Sequence, residues 1–180
     1  MLEALTNLGD AALVVPVSLA LFGYLWAVKS RRAAIAWAGG FWMCIALVFL
    51  LKIGFRTCGA QIPELEIGSP SGHTALATTL CGCAALLFGK EYGSRTRMAL
   101  ALLALVLSGI IGISRVLLHA HTGPEVFGGL LIGLVSIAVF HAGNVGVEQL
   151  QLRAGPALAL FAGLAVTMHG QHLNAEELFA

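Results

Sequence analysis

Charged residues are scarce in this chain of 180 residues: Asp, Glu, Lys and Arg together make up 11%, as ten basic and nine acidic positions. A soluble globular domain carries about 25% charged residues, because its surface has to be solvated. Apolar residues of the set AVILMFWYC make up 58%, and the mean hydropathy is +0.90. This balance excludes a soluble globule, a disordered chain and a basic nucleic-acid-binding protein, and it leaves an integral membrane protein.

Cysteines are also few, and their positions do not suggest a disulfide framework. Cys44, Cys81 and Cys83 lie inside apolar runs, and only Cys58 falls in a polar connection. Cys81 and Cys83 have one residue between them, a spacing that points them apart on a helix. We interpret all four as small apolar packing residues and not as metal or redox sites.

Long apolar runs, in contrast, fill most of the chain. A helix needs about 20 mostly apolar residues to cross the hydrocarbon core of a bilayer. The runs predict an all-α fold, a polytopic membrane helix bundle of about six transmembrane helices in one domain over residues 1–180. The approximate spans are 11–28, 33–51, 73–89, 98–118, 125–146 and 154–172. A signal peptide is a weaker interpretation of the first run, since only Glu3 and Asp10 carry charge before it.

The basic residues of the connections predict the orientation of this bundle. Seven of them fall on one side if six helices alternate: Lys29, Arg31, Arg32, Lys90, Arg95, Arg97 and Arg153. By the positive-inside rule that side is cytoplasmic, so both termini are expected outside. The other three, Lys52, Arg56 and Arg115, lie at the outer face. They could snorkel to lipid head groups, but other polar residues converge on the same face.

The first of two outer connections contains a helix start suited to an anion. Lys52 and Arg56 are four residues apart, so a continued helix would place both on one face. Pro70 ends any helix or strand that precedes it, and Ser71-Gly72 leads directly into the third span. The first N–H groups of a helix have no partners within it and attract anions, and a glycine lets an anion approach the backbone closely.

The second outer connection adds an arginine, two histidines and a carboxylate. It contains Ser114-Arg115, then His119 and His121, and then Glu125. Thr122 is a possible helix cap, and Pro124 suits the first turn of a helix. Cations and fixed donors stabilise the charge of a phosphoryl group during its transfer, while one histidine can be the nucleophile and a second the proton donor.

These residues resemble the type 2 phosphatidic acid phosphatase superfamily, in its membrane branch of lipid phosphate phosphatases. The family pattern has a Lys with Arg-Pro seven residues on, then Pro-Ser-Gly-His, then Ser-Arg-x5-His-x3-Asp. Residues 70–73 match the second block fully, and Ser114, Arg115 and His121 match the third, where Glu125 replaces Asp. Lys52 fits the first block, which otherwise lacks its Arg-Pro. The resemblance covers roughly residues 33–142.

The resemblance implies a role for each of these residues. His121 would attack phosphorus and become a phosphohistidine, Glu125 would hold its other ring nitrogen, and His73 would protonate the leaving group. The residues implied to bind phosphoryl oxygens are Lys52, Ser71, Gly72 and Arg115. Arg56 either replaces the missing arginine of the first block from a different helical turn or only binds lipid head groups.

The resemblance also implies a metal-independent phosphatase without a cofactor. The expected substrate is a lipid carrying a terminal phosphomonoester or diphosphate, such as undecaprenyl diphosphate, phosphatidylglycerol phosphate, phosphatidate or phosphorylated lipid A. The bilayer and this lipid are the expected partners, with no nucleic acid, and the expected location is a bacterial inner membrane with the site facing the periplasm.

Four alternatives remain open from the sequence. The phosphohistidine could pass its group to an alcohol, which would make the protein a lipid phosphotransferase. The degraded first block permits a non-catalytic lipid-phosphate binder or transporter. A hydrolase based on Ser71 is weaker, because Ser71 and His73 are too close in sequence for the usual pair. His119, His121 and Glu125 could form half of a zinc site.

Overall fold

The computed structural model describes residues 6–57 and 68–145, together with the helical positions 155, 159, 163 and 167. Within this part of the chain it contains five α-helices, a short 3-10 turn over Asn7–Gly9 and no β-strand, so the predicted all-α class is confirmed. The helices are α1 (Ala11–Ala27), α2 (Arg31–Thr57), α3 (Gly72–Gly89), α4 (Ser94–Leu117) and α5 (Gly123–Asn144). The sixth predicted span, 154–172, lies outside the described residues except for these four positions.

Helices α2 to α5 are each long and apolar enough to cross a membrane, and α1 is a shorter apolar helix. Large apolar side chains cover their outer surfaces; on α4 the exposed ones include Leu102, Leu103, Leu105, Val106, Ile110 and Ile113. A soluble surface rarely exposes a continuous apolar face of this size, whereas a lipid-facing surface requires one. The chain is therefore an integral membrane protein.

Helix α2 is longer than the apolar run that predicted it. The run covers 33–51, but the helix begins at Arg31 and continues to Thr57. Its 27 residues span about 40 Å, whereas the hydrocarbon core is about 30 Å thick. The helix is therefore longer than the hydrocarbon core is thick, and its last turns carry Lys52 and Arg56 on one continuous helix, as their spacing predicted.

Helix α3 lies at the centre of the bundle and packs against all four other helices. Glycines allow α5 to approach it closely: a Cβ atom on Gly133 would lie 2.5 Å from Thr78 Cβ and 3.1 Å from the Ala75 carbonyl oxygen. A Cβ atom on Gly129 would likewise lie too close to the Ser71 carbonyl oxygen. The small-residue spacing of Gly129 and Gly133 is thus a packing feature that brings the start of α5 against the start of α3.

The two ends of the bundle differ in their polar residues. At one end, Arg32 Nε donates to the Gly143 carbonyl at 3.2 Å, and Lys90 Nζ donates to the Asn144 carbonyl at 2.6 Å. These two cations satisfy carbonyl groups at the C-terminal end of α5. The opposite end contains the end of α2, the start of α3, the end of α4 and the start of α5. The conspicuous motifs of the sequence therefore meet at one end of the bundle.

Candidate functional site

The start of α3 is built by the Pro-Ser-Gly-His segment. Ser71 is the N-cap residue, and its Oγ accepts hydrogen bonds from the Thr74 N–H at 3.4 Å and from Thr74 Oγ1 at 3.0 Å. The Ser71 side chain is fully buried. Gly72 and His73 then begin the helix, where the backbone N–H groups have no carbonyl partners within it. This arrangement disfavours Ser71 as a nucleophile, since its hydroxyl is buried against the helix start.

Glu125 joins the two outer connections. Its Oε1 accepts hydrogen bonds from the N–H groups of Gly68 and Ser69, both at 2.7 Å. Its Oε2 accepts from the Thr122 N–H at 3.1 Å and lies 2.8 Å from His121 Nδ1. The bond from Thr122 is half of a capping box at the start of α5, and Pro124 occupies the first turn, as the sequence predicted. Three backbone N–H donors, together with the facing ring nitrogen of His121, stabilise the ionised form of this buried carboxylate.

The contact with Glu125 fixes the orientation of His121. Because Nδ1 faces the carboxylate, Nε2 is the ring nitrogen left for chemistry. The imidazole is largely buried, and burial lowers the pKa of His121 below its ordinary value of 6.5. The hydrogen bond and charge of Glu125 oppose this effect, whereas the positive charges of Arg115 and Lys52 add to it. The site therefore favours a neutral imidazole with a free Nε2, the form that a nucleophile requires.

The cations of the site come from two helices. Lys52, near the end of α2, and Arg115, in the last turn of α4, are both close enough to act electrostatically on His121. The Arg115 carbonyl oxygen also accepts a hydrogen bond from the N–H of His121 at 3.3 Å. This bond holds the loop that contains His121 against the end of α4. Arg56 lies one helical turn beyond Lys52 and is exposed. Lys52, Arg115 and His121 are thus brought together, while Arg56 lies further along the helix.

The first residues of the described chain also belong to this site. Asp10 caps α1, accepting from the Ala12 N–H at 2.8 Å, and its Oδ2 lies 3.4 Å from His73 Nε2. Thr6 Oγ1 accepts a hydrogen bond from Arg115 Nη1 at 3.4 Å. Neither residue was predicted from the sequence to be a member of the site. A signal did exist, because the predicted topology places Asp10 on the same outer face as the motifs.

His119 ends α4 in the left-handed region, with φ of 53°, and its side chain is exposed. Within residues 6–57 and 68–145, no three His, Cys, Asp or Glu side chains are grouped as the ligands of a metal ion. The zinc interpretation of His119, His121 and Glu125 therefore gains no support from the geometry. The expectation of a metal-independent reaction stays a prediction.

The fold and the site together define a class: a helical membrane protein with a His–carboxylate pair, a second histidine, two cations and a helix N-terminus at one end of the bundle. Such a set suits phosphoryl chemistry. The model of the PAP2 superfamily matches residues 53–145, and the chain belongs to this superfamily. The membership supports a phosphatase-type enzyme. Lys52 lies one residue before the matched stretch.

A similar protein occurs in Klebsiella pneumoniae, where it is described as an uncharacterized 22.5 kDa protein in the cps region. It is 32% identical to this chain over 139 residues, which is 77% of this chain and 66% of that protein. The chain therefore spans slightly less than two thirds of this relative. No solved structure matches the chain.

Proposed function

We propose that this protein is a membrane lipid phosphatase that removes a terminal phosphate from a phosphomonoester or diphosphate lipid through a phosphohistidine intermediate. One observation carries the proposal: His121 Nδ1 lies 2.8 Å from Glu125 Oε2, which leaves Nε2 as the nucleophilic atom beside two cations. The pair lies where the start of α3 offers its backbone N–H groups. A phosphoryl group bound at this place would lie close to a nucleophile, to cations that stabilise its charge and to a proton donor.

In the first step of the proposed reaction, the Nε2 lone pair of His121 forms a bond to phosphorus while the bond to the lipid oxygen breaks. A proton from His73 goes to that oxygen, so the lipid leaves as an alcohol or a monophosphate. In the second step, water attacks phosphorus, the nitrogen–phosphorus bond breaks and inorganic phosphate leaves. His73 takes the proton of the attacking water and is ready for the next cycle.

Lys52, Arg115 and the start of α3 are proposed to bind the phosphoryl oxygens. Arg115 offers a planar fork of donors, which binds two oxygens at once, whereas Lys52 is a compact point charge. The backbone N–H of Gly72 is available at the helix N-terminus, and a Cβ atom there would meet nothing closer than Val48 Cγ1 at 3.5 Å. The absence of a side chain at Gly72 lets an anion approach the backbone closely.

Helix lengths support a lipid substrate. Helix α3 has 18 residues and spans about 27 Å, slightly less than the hydrocarbon thickness of about 30 Å. The start of α3, and the site with it, is therefore expected at the boundary between head groups and hydrocarbon. A lipid could present its phosphate there while its tail stays in the bilayer. We propose that this end faces the periplasm of a bacterial inner membrane, because the basic connections lie at the other end.

Purified protein in detergent can test the proposal with a panel of lipid phosphates and phosphate release as the readout. The decisive variant is His121→Asn, which is expected to abolish release and to leave no acid-labile phosphoprotein. His119→Asn is the matched control, because the same substitution is made two residues away on an exposed histidine. Asn also tolerates the left-handed backbone of position 119. Turnover of His121→Asn at the wild-type rate would overturn the mechanism.

The same assay separates the alternatives. Transfer of phosphate to an added alcohol faster than to water would make the protein a lipid phosphotransferase. Binding of lipid phosphates without turnover by the wild type would favour a binder or transporter. Activity that persists in EDTA is expected, whereas loss in EDTA with recovery in zinc would favour the zinc interpretation.

A further inference from the structure

A short N-terminal segment, residues 6–10, packs over the end of the bundle that contains the site. Thr6, Gly9 and Asp10 are all buried. A Cβ atom on Gly9 would lie 3.0 Å from the His73 carbonyl oxygen and 2.9 Å from Ile111 Cγ2. The segment therefore runs directly against the backbone of His73, and only a glycine allows this approach without displacement. Its position brings the neighbouring Asp10 carboxylate to the His73 ring.

We propose that Asp10 is a positioning residue for His73: its carboxylate, 3.4 Å from Nε2, holds the ring so that Nδ1 donates a proton to the leaving group. The inference rests on the proposed phosphatase function, and it assigns a residue that none of the sequence motifs contains. Asp10 does not touch the reacting phosphoryl group in this assignment. It acts only through His73.

The geometry gives both histidines of the site the same kind of partner. Glu125 holds His121 by Nδ1, which leaves Nε2 for attack, and Asp10 faces Nε2 of His73, which leaves Nδ1 for protonation. A carboxylate beside one ring nitrogen fixes the orientation of an imidazole and leaves the other nitrogen for chemistry. The Asp10 side chain is 6% exposed and that of His73 is 24% exposed. The carboxylate is thus shielded from solvent, while the histidine remains accessible to a substrate.

Asp10 also caps α1 through the Ala12 N–H, so a loss of activity in a variant could reflect a loss of folding. The substitution Asp10→Asn separates the two roles, because Asn is as good an N-cap as Asp but carries no charge. Asp10→Ser is a second variant with the same property. Glu91→Gln is the matched control, since it removes one negative charge at the opposite end of the bundle.

The test compares two substrates, a lipid phosphate with a poor leaving group and an aryl phosphate with a good one. Asp10→Asn is expected to lower kcat for the lipid phosphate about tenfold or more, a part of the 10²–10⁴-fold that general acid catalysis contributes. KM should stay within about twofold, and the aryl phosphate should be hydrolysed at nearly the wild-type rate. Equal losses on both substrates, or a change in KM alone, would overturn the proposal.

A double-mutant cycle with His73→Ala provides the second readout. If Asp10 acts through His73, adding Asp10→Asn to His73→Ala should cause no further loss of kcat. Additive losses would assign Asp10 a role independent of His73 and would overturn the inference, even with the phosphatase intact. A wild type that releases no phosphate from either substrate would instead overturn the proposed function, and this inference with it.

The ring nitrogen signals of 15N-histidine provide a readout that does not depend on turnover. Asp10→Asn is expected to shift the His73 Nε2 resonance and to leave the His121 resonances unchanged. Glu91→Gln should shift neither. An unchanged His73 signal in a folded Asp10→Asn variant would show that the carboxylate does not hold the ring, and this outcome would reject the proposal.

Discussion

At the scale of single residues, Glu125 shows why a longer carboxylate can replace the family's aspartate. Besides contacting His121, it accepts from the backbone of the preceding connection at Gly68 and Ser69 and from Thr122. The Glu125 carbonyl oxygen also accepts from the Ser71 N–H at 2.9 Å. The extra methylene lets one carboxylate reach both connections at once, so this residue both orients a histidine and closes the site.

We therefore expect Glu125→Asp to lower phosphatase turnover, although it restores the residue of the family pattern. The shorter side chain cannot keep its contacts with both connections, so either His121 or the segment at Gly68 loses its partner. Glu125→Gln should lower turnover further and also reduce stability by about 1–3 kcal/mol, because its NH2 group would face N–H donors. Steady-state kinetics and thermal unfolding in detergent measure the two effects. Wild-type turnover in Glu125→Asp would contradict this account.

The charges around His121 predict the pH dependence of the reaction. The pKa of His121 is lowered below 6.5, mainly by burial, so the neutral nucleophile persists to lower pH than for a free histidine. The acidic limb of kcat/KM is expected below pH 6.5. Removal of a nearby positive charge makes the imidazolium less unfavourable, so Lys52→Gln should move this limb to higher pH. Arg95→Gln, at the opposite end of the bundle, is the control and should leave the limb in place.

At the scale of helices, the site depends on how closely α5 packs against α3. Gly129 and Gly133 allow this approach, and Gly40 and Gly143 allow a similar one between α2 and α5. The N-termini of α3 and α5 carry His73 and Glu125, so the separation of these helices sets the separation of the proposed catalytic groups. Inside the bilayer, hydroxyl groups such as those of Thr79 and Ser136 bond to carbonyls of their own helices and leave the packing surfaces apolar.

Substitution of Gly133 tests this packing. Gly133→Ala places a Cβ atom 2.5 Å from Thr78 Cβ, and the displacement of α5 is expected to cost about 1–3 kcal/mol. Gly109→Ala is the matched control, because a Cβ atom there meets nothing within 4 Å. Alanine is the better helix former, so Gly109→Ala should leave thermal stability unchanged or raise it slightly. Equal midpoints of thermal unfolding for the two variants would show that the α3–α5 contact is not tight.

At the scale of the whole molecule, the bundle separates two chemical surfaces. One end contains the basic connections and the contacts of Arg32 and Lys90 with the end of α5. The other end contains the candidate site. For the proposed lipid phosphatase, the orientation of the bundle therefore decides which leaflet of the membrane supplies the substrate.

Cysteine labelling in intact cells tests the orientation. In a background with Cys58→Ser, the remaining cysteines lie within α2 and α3. An impermeant maleimide added from the periplasmic side should label Ala120→Cys, an exposed position beside the site, but not Ser94→Cys, an exposed position at the start of α4. After cell lysis both positions should react. The reverse pattern in intact cells would place the site in the cytoplasm.

The sequence by itself determined the membrane class, the all-α fold and the residues of the two outer connections. These features depend on local patterns: apolar runs long enough to span a bilayer, caps at helix starts, and motif residues close together in the chain. The ends of the helices were predicted less accurately, because α2 continues through Lys52 and Arg56 after its apolar run has ended. The structure alone brought Asp10 to His73, Thr6 to Arg115 and Gly68 to Glu125. Each of these contacts joins residues more than fifty positions apart, and such pairs meet only when the helices pack.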